Sequence, residues 1–137
     1  MVDKNLEDFS SKSRMQRNGW IIDVKKSMDP RYSNSCGKET WYGYSPGGSI
    51  GSVKTRFRGN GAATLNFGNC YGRGRVIVYL NDDEISRAYK NTKKMEVTFE
   101  YFQGDRLSIK EFSSAIIKLN SLTLRNQGNN KRTENQY

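Results

Sequence analysis

Three groups of side chains in this chain are of types that could do chemistry: an aromatic set, a basic set and a pair of cysteines. The stretch CGKETWYGYSPGGSIGS, residues 36–52, places Trp41, Tyr42 and Tyr44 among glycine, serine and proline. Rings of this kind stack on the C–H faces of sugars while polar neighbours fix orientation. Tyr42 and Tyr44 read as exposed, and Trp41 reads equally as core or as surface. A second stretch, FGNCYGRGRV, adds Tyr71, Arg73 and Arg75, whose guanidinium groups would meet an anion. Its glycines also resemble a phosphate loop, but such loops open a helix, and here an apolar β-like run follows.

Lys54, Arg56 and Arg58 alternate with Val53, Thr55 and Phe57. A strand there carries its cations on one face at intervals of about 7 Å, near the charge spacing of a polyanion. The plainer reading is a solvated face whose charges block edge-to-edge aggregation. Lys90, Lys93 and Lys94 crowd a second connection.

Cys36 and Cys70 are the only cysteines, and the chain has no histidine. That count excludes Cys₂His₂ and Cys₄ zinc sites, and the spacing fits no C-x-x-C redox pair. Two readings remain. One is a disulfide, closing a loop of about 34 residues and stabilising the fold by about 3 to 4 kcal/mol. The other is two buried thiols in a cytosolic protein. The lack of histidine also removes the commonest general base and the usual activator of a cysteine nucleophile. A glycosidase-type carboxylate pair would have to come from Asp82, Asp83, Glu84, Glu96, Glu100, Asp105 and Glu111, most of which read as turn or outer-face residues. A non-catalytic protein is expected.

The elements that must position these groups have period two. VKTRF, AATLNF, RVIVYL, EISRAY, KMEVTFEYF, RLSIKEF and AIIKLNSLTL, with GWIIDV near the start, give seven or eight short strands separated by turn signals. Asn81, Asp82 and Asp83 mark one hairpin, and Gly104 and Asp105 another. No helix of ten or more residues is indicated. The pattern predicts an all-β antiparallel sandwich or jelly roll of about eight strands. Residues 1–17 read as a polar N-terminal segment with Leu6 and Phe9 as its apolar anchors, 18–124 as the sandwich, and 125–137 as a disordered polar tail.

With 137 residues, 34% of them hydrophobic and 27% charged, the chain can bury a core beneath a wet surface. A net charge of +9 draws it to polyanions: nucleic acid, acidic glycan or anionic membrane. No apolar run reaches the roughly 20 residues a spanning helix needs, and the first residues have no signal-peptide core, so no membrane insertion is expected. The opening fits either a cytosolic chain or a segment cut from a longer or processed one.

Phe57, Gly59 and Gly61 fit an F-x-G-x-G strand end; Val76, Val78, Leu80 and Asn81 fit a V-x-V-Y-L-N-G hairpin; Gly104 and Asp105 fit a G-D turn. Over residues 50–124 the chain thereby resembles the galactose-binding-like β-jelly rolls, which include many carbohydrate-binding modules. It departs from them at Asp82, where glycine is common. LEDFSSKSRMQRNGW is similar to the opening of many extracellular modules of this kind. The resemblance implies a jelly roll with its binding residues on variable loops, and often a structural calcium ion, for which Glu7 and Asp8 are the candidates. The function expected is an extracellular or secreted glycan-recognition module using the aromatic and basic sets. The alternatives are a structural or adhesive domain with a protein partner or homo-oligomeric contact, and a nucleic-acid-binding barrel, which the strand count and a bridge between the cysteines would disfavour.

Overall fold

A computed structural model describes residues 6, 7, 9–71 and 73–126. Its elements in chain order are β1 (Leu6–Glu7), α1 (Lys12–Arg17), β2 (Ile21–Asp23), β3 (Lys26–Ser27), a 3₁₀ turn (Pro30–Tyr32), α2 (Ser33–Cys36), β4 (Trp41–Tyr44), β5 (Gly51–Arg56), β6 (Gly61–Asn69), β7 (Arg75–Leu80), β8 (Asp83–Ala88), β9 (Met95–Tyr101), β10 (Arg106–Phe112) and β11 (Ile117–Asn126). They form two antiparallel sheets packed as a sandwich. A six-stranded sheet runs β3-β4-β11-β6-β9, with β1 also paired to β11; a five-stranded sheet runs β2-β5-β10-β7-β8. The eight strands legible as period-two runs are all present, and β1, β3 and β4 are additional.

Alternation sorts the side chains. Val53 from β5 and Phe57 just beyond it, Leu107 and Ile109 from β10, and Val76 and Val78 from β7 meet Leu65, Phe67, Phe99, Leu119 and Leu122 of the opposite sheet in one buried core. Phe57 stacks on Tyr101 with centroids 4.2 Å apart. The β7–β8 hairpin turns on Asn81 and Asp82, both at positive φ (51° and 69°). Asn and Asp tolerate that conformation, so the turn forms without the glycine common there. Asn81 Oδ1 also accepts the Arg106 N–H at 2.9 Å, fixing the hairpin to β10.

The boundary expected at residue 18 moves toward the N-terminus. Ser11 caps α1 by accepting the Arg14 N–H, and the helix presents Met15 to the core. Phe9 lies edge-on to Trp20 at 5.3 Å, and both rings are buried with Met15. The first turn of chain is thus part of the sandwich, because three apolar anchors outweigh a polar average. At the other end, β11 continues through Asn126. The remainder of the expected tail, 127–137, lies outside the described residues.

Candidate functional site

The aromatic stretch is the first point at which structure and expectation differ. Trp41, Tyr42 and Tyr44 form β4 and are buried, at 1%, 1% and 8% exposure. Trp41 points into the main core, above Gly43, where a Cβ would lie 2.6 Å from the indole ring. Tyr42 and Tyr44 point the other way, into a second cluster with Cys36, Cys70 and Ile116, against which Tyr32 packs. The segment 29–37 lies over this face of the sheet, so β4 is covered on both sides. The three rings are therefore structural, and the contact surface proposed for them from sequence is withdrawn.

That cover is held by specific bonds. Cys36 and Cys70 form a disulfide, Cα–Cα 5.0 Å, and no free cysteine remains. Tyr42 Oη donates to the Asp29 carbonyl at 2.8 Å and Tyr44 Oη to Asp29 Oδ2 at 2.7 Å. Arg31 Nη2 donates to the same carboxylate at 2.8 Å. The Arg31 guanidinium and the Tyr44 hydroxyl hold the Asp29 carboxyl far below the usual carboxylate range, and burial pushes both tyrosines up.

Of the remaining aromatic-loop candidates, Tyr71 is 47% exposed and tilts against Tyr32 with centroids 4.7 Å apart. Arg73 is exposed in the same loop. Arg75 belongs elsewhere: it pairs with Phe112 across β7 and β10, and its guanidinium lies 5.1 Å from that ring's centroid. The six residues are thus not one site. Glu7 is placed only as part of β1, and its side chain and Asp8 lie outside the described residues; among the described residues no three His, Cys, Asp or Glu side chains gather as a metal site.

The basic set leads to a surface. Lys54 and Arg56 on β5 and Arg58 just beyond it are exposed, while Val53, Thr55 and Phe57 between them are buried. Registry shows what stands beside them on the outer face of the five-stranded sheet. One row crosses Ile21 on β2, Lys54 on β5, Ser108 on β10, Tyr79 on β7 and Glu84 on β8. The next crosses Asp23, Ser52, Lys110, Ile77 and Arg87. Arg56 stands opposite Arg106. Five strands at about 4.8 Å make this a face some 19 Å wide.

Two like charges directly opposite repel, and the sheet relieves the pair by turning the two heads apart. Arg106 Nη2 reaches Asp82 Oδ2 at 3.0 Å, and Arg56 Nη1 donates to the Gly104 carbonyl at 3.1 Å. Lys110 Nζ lies 5.3 Å from the centroid of Tyr79. Arg87 is held by Glu84, Nε–Oε2 2.6 Å, and sits over Tyr89. Between β2 and the β7–β8 turn runs a groove of about 470 Å³ lined by Ile21, Lys54, Arg56, Arg106, Ser108 and Lys110, with Asp82 at its edge. Ile21 is exposed to solvent at this groove. The outer face of the opposite sheet is different in kind: Thr64 pairs with Thr98, Asn66 with Glu96 and Ala62 with Glu100.

The groove can hold an extended ligand by lysine and arginine donors, with Ile21 giving apolar contact and Tyr79 on the same face against Lys110. Ile21, Tyr79, Arg106 and Lys110 were absent from the sequence-level site. The alternation of Arg106, Ser108 and Lys110 against Leu107 and Ile109 was the available signal, but the adjacency of β10 to β5 was not.

One of the seven carboxylates considered from sequence is buried. Glu111 follows Leu107 and Ile109 on the inner face of β10 and is fully buried. Its Oε2 accepts the N–H groups of Ser45 and Gly51, both at 2.8 Å, so it closes the β4–β5 loop at both ends. Desolvation pushes it up to about 7, against those two bonds.

No protein-family model matches the chain, and no curated protein matches it significantly. Solved structures do. The K1 cleaved adhesin domain of Lys-gingipain from Porphyromonas gingivalis W83 superposes with a TM-score of 0.59 at 12% identity, over 90% of this chain and 98% of that one. The secreted serine protease VesC from Vibrio cholerae gives 0.58 at 12% identity, over 88% of this chain and 28% of that one. A family two carbohydrate esterase from Cellvibrio japonicus gives 0.56 at 14% identity, over 90% of this chain and 34% of that one. The chain spans about a third or less of the protease and the esterase. At such identities the likeness is one of fold: the jelly-roll sandwich implied by the sequence resemblance is the fold observed.

Proposed function

We propose that this chain is a non-catalytic, secreted β-sandwich module that binds an acidic glycan along the outer face of its five-stranded sheet. The observation that carries the reading is the groove that Lys54, Arg56, Arg106 and Lys110 line together with Ile21, with the Tyr79 ring against Lys110. Sulfate or uronate groups repeating along a sugar chain match cations spaced by strand geometry, and the sugar's C–H faces match the apolar side chains between them. The disulfide supports an oxidising compartment, which favours a glycan over intracellular nucleic acid. The fold neighbours support attachment as the role: one is described as an adhesin domain, another is a carbohydrate esterase of which this fold occupies a third.

Calorimetric titration with a heparin hexasaccharide, a neutral hexasaccharide and a single-stranded oligonucleotide tests it. The reading expects binding of the sulfated sugar alone, weakening with salt. Preference for the oligonucleotide would move the chain to the nucleic-acid class. Silence from all three, with a dimer by light scattering, would move it to the structural or adhesive class.

A further inference from the structure

The six-stranded sheet carries a separate concentration of positive charge. Lys118 lies on the outer face of β11, between its cross-strand partners Tyr42 on β4 and Gly68 on β6. Its neighbours Ile117 and Leu119 fill the core, yet Lys118 is itself only 9% exposed. Gly68 is the reason. A Cβ at Gly68 would lie 2.3 Å from the Lys93 carbonyl oxygen, so only glycine lets the connection into β9 cross directly over the sheet. That crossing covers Lys118 and sets Lys93 and Lys94 beside it. Burial first, and then the charges of Lys93 and Lys94, hold the Lys118 ammonium below the usual lysine range. Among the described residues no carboxylate forms an ion pair with any of the three.

A nearly buried ammonium with two like charges beside it and no carboxylate paired to it is stabilised by any anion that reaches it. At the bulge between Leu119 and Ser121 on the same sheet, a groove of about 410 Å³ is lined by Asn66, Lys94, Met95, Glu96, Asn120 and Ser121, and Lys94 joins it to the lysine cluster. Asn66 Nδ2 donates to Ser121 Oγ at 3.1 Å, which orients that hydroxyl. The amides and hydroxyl suit sugar hydroxyl groups, and Glu96 repels a second negative charge.

We propose that Lys93, Lys94 and Lys118, with the groove beside them, bind a single anionic substituent of a sugar, a carboxylate or a sulfate ester. This site is on the opposite sheet from the extended basic groove and does not depend on it. A two-faced module of this kind would hold two glycan segments at once.

Side-chain NMR of Lys118 during addition of glucuronate, glucose 6-sulfate or glucose tests the site. At least one anionic sugar is expected to shift the Lys118 Cε resonance and raise its pKa, with glucose inert. Lys118→Met should weaken that binding about tenfold or more while leaving heparin hexasaccharide binding at the outer face of the five-stranded sheet intact; a Lys54→Glu, Arg56→Glu double variant should do the reverse. If Lys118→Met does not fold, Lys94→Gln, at an exposed side chain, gives the same comparison. An unchanged response in the folded variant, an equal response to glucose, or no response to either anionic sugar overturns the proposal.

Discussion

Replacing Glu111 by glutamine tests whether a buried carboxylate sets the pH dependence of this fold. Glu111 is raised to about 7 from an ordinary value of 4.5, because burial outweighs the two N–H groups that favour its charge. The folded state therefore binds a proton that the unfolded state has released, and stability falls as pH rises from about 4.5 to about 7. The full difference corresponds to about 3 kcal/mol. The window is clean, since the chain has no histidine and the displaced carboxyls Asp29 and Glu84 are shifted downward, acting only at lower pH. Glutamine keeps an acceptor for both N–H groups and removes the titration. Urea unfolding at several values between pH 4.5 and 8.5 should show wild type losing most of this amount while the Glu111→Gln variant stays flat and is the more stable protein at pH 8. A variant that keeps the wild-type slope, or is less stable at pH 8, would refute the reasoning.

Trp41→Ala should destabilise by about 3 to 5 kcal/mol, as for a large ring removed from a packed core, measured by denaturant unfolding. Gly68→Ala should cost about 1 to 3 kcal/mol, because the Lys93 backbone has to move; a neutral outcome would show that the crossing is loose. Replacing Cys36 and Cys70 together by alanine should cost about 3 to 4 kcal/mol, and a thiol titration of the unreduced protein should find none free. Lys54→Glu with Arg56→Glu should reduce heparin hexasaccharide affinity by about tenfold or more and leave the melting temperature almost unchanged, since both side chains are exposed.

How much of this was legible depended on whether one strand or several had to be known. Period-two runs located eight strands, because each has one face in the core and one in water. WYGY escaped as a strand for the opposite reason. All four residues of β4 are buried, Trp41 by the core and Tyr42 and Tyr44 by the segment 29–37, so no alternation was visible. Lys54 and Arg56 were found on their own strand's pattern. Their neighbours on β10 stand about 50 residues away, and only the observed register makes them one surface. Glu111 was legible by parity alone, since Leu107 and Ile109 point its position inward.

Backbone-amide NMR during titration with a heparin hexasaccharide tests the central claim most directly. The account predicts the largest shifts in the outer-face residues of β2, β5, β7 and β10, around Ile21, Lys54, Arg56, Tyr79, Arg106 and Lys110. Shifts centred on the Tyr32 and Tyr71 loops with that face silent, or no shifts at all, would contradict it.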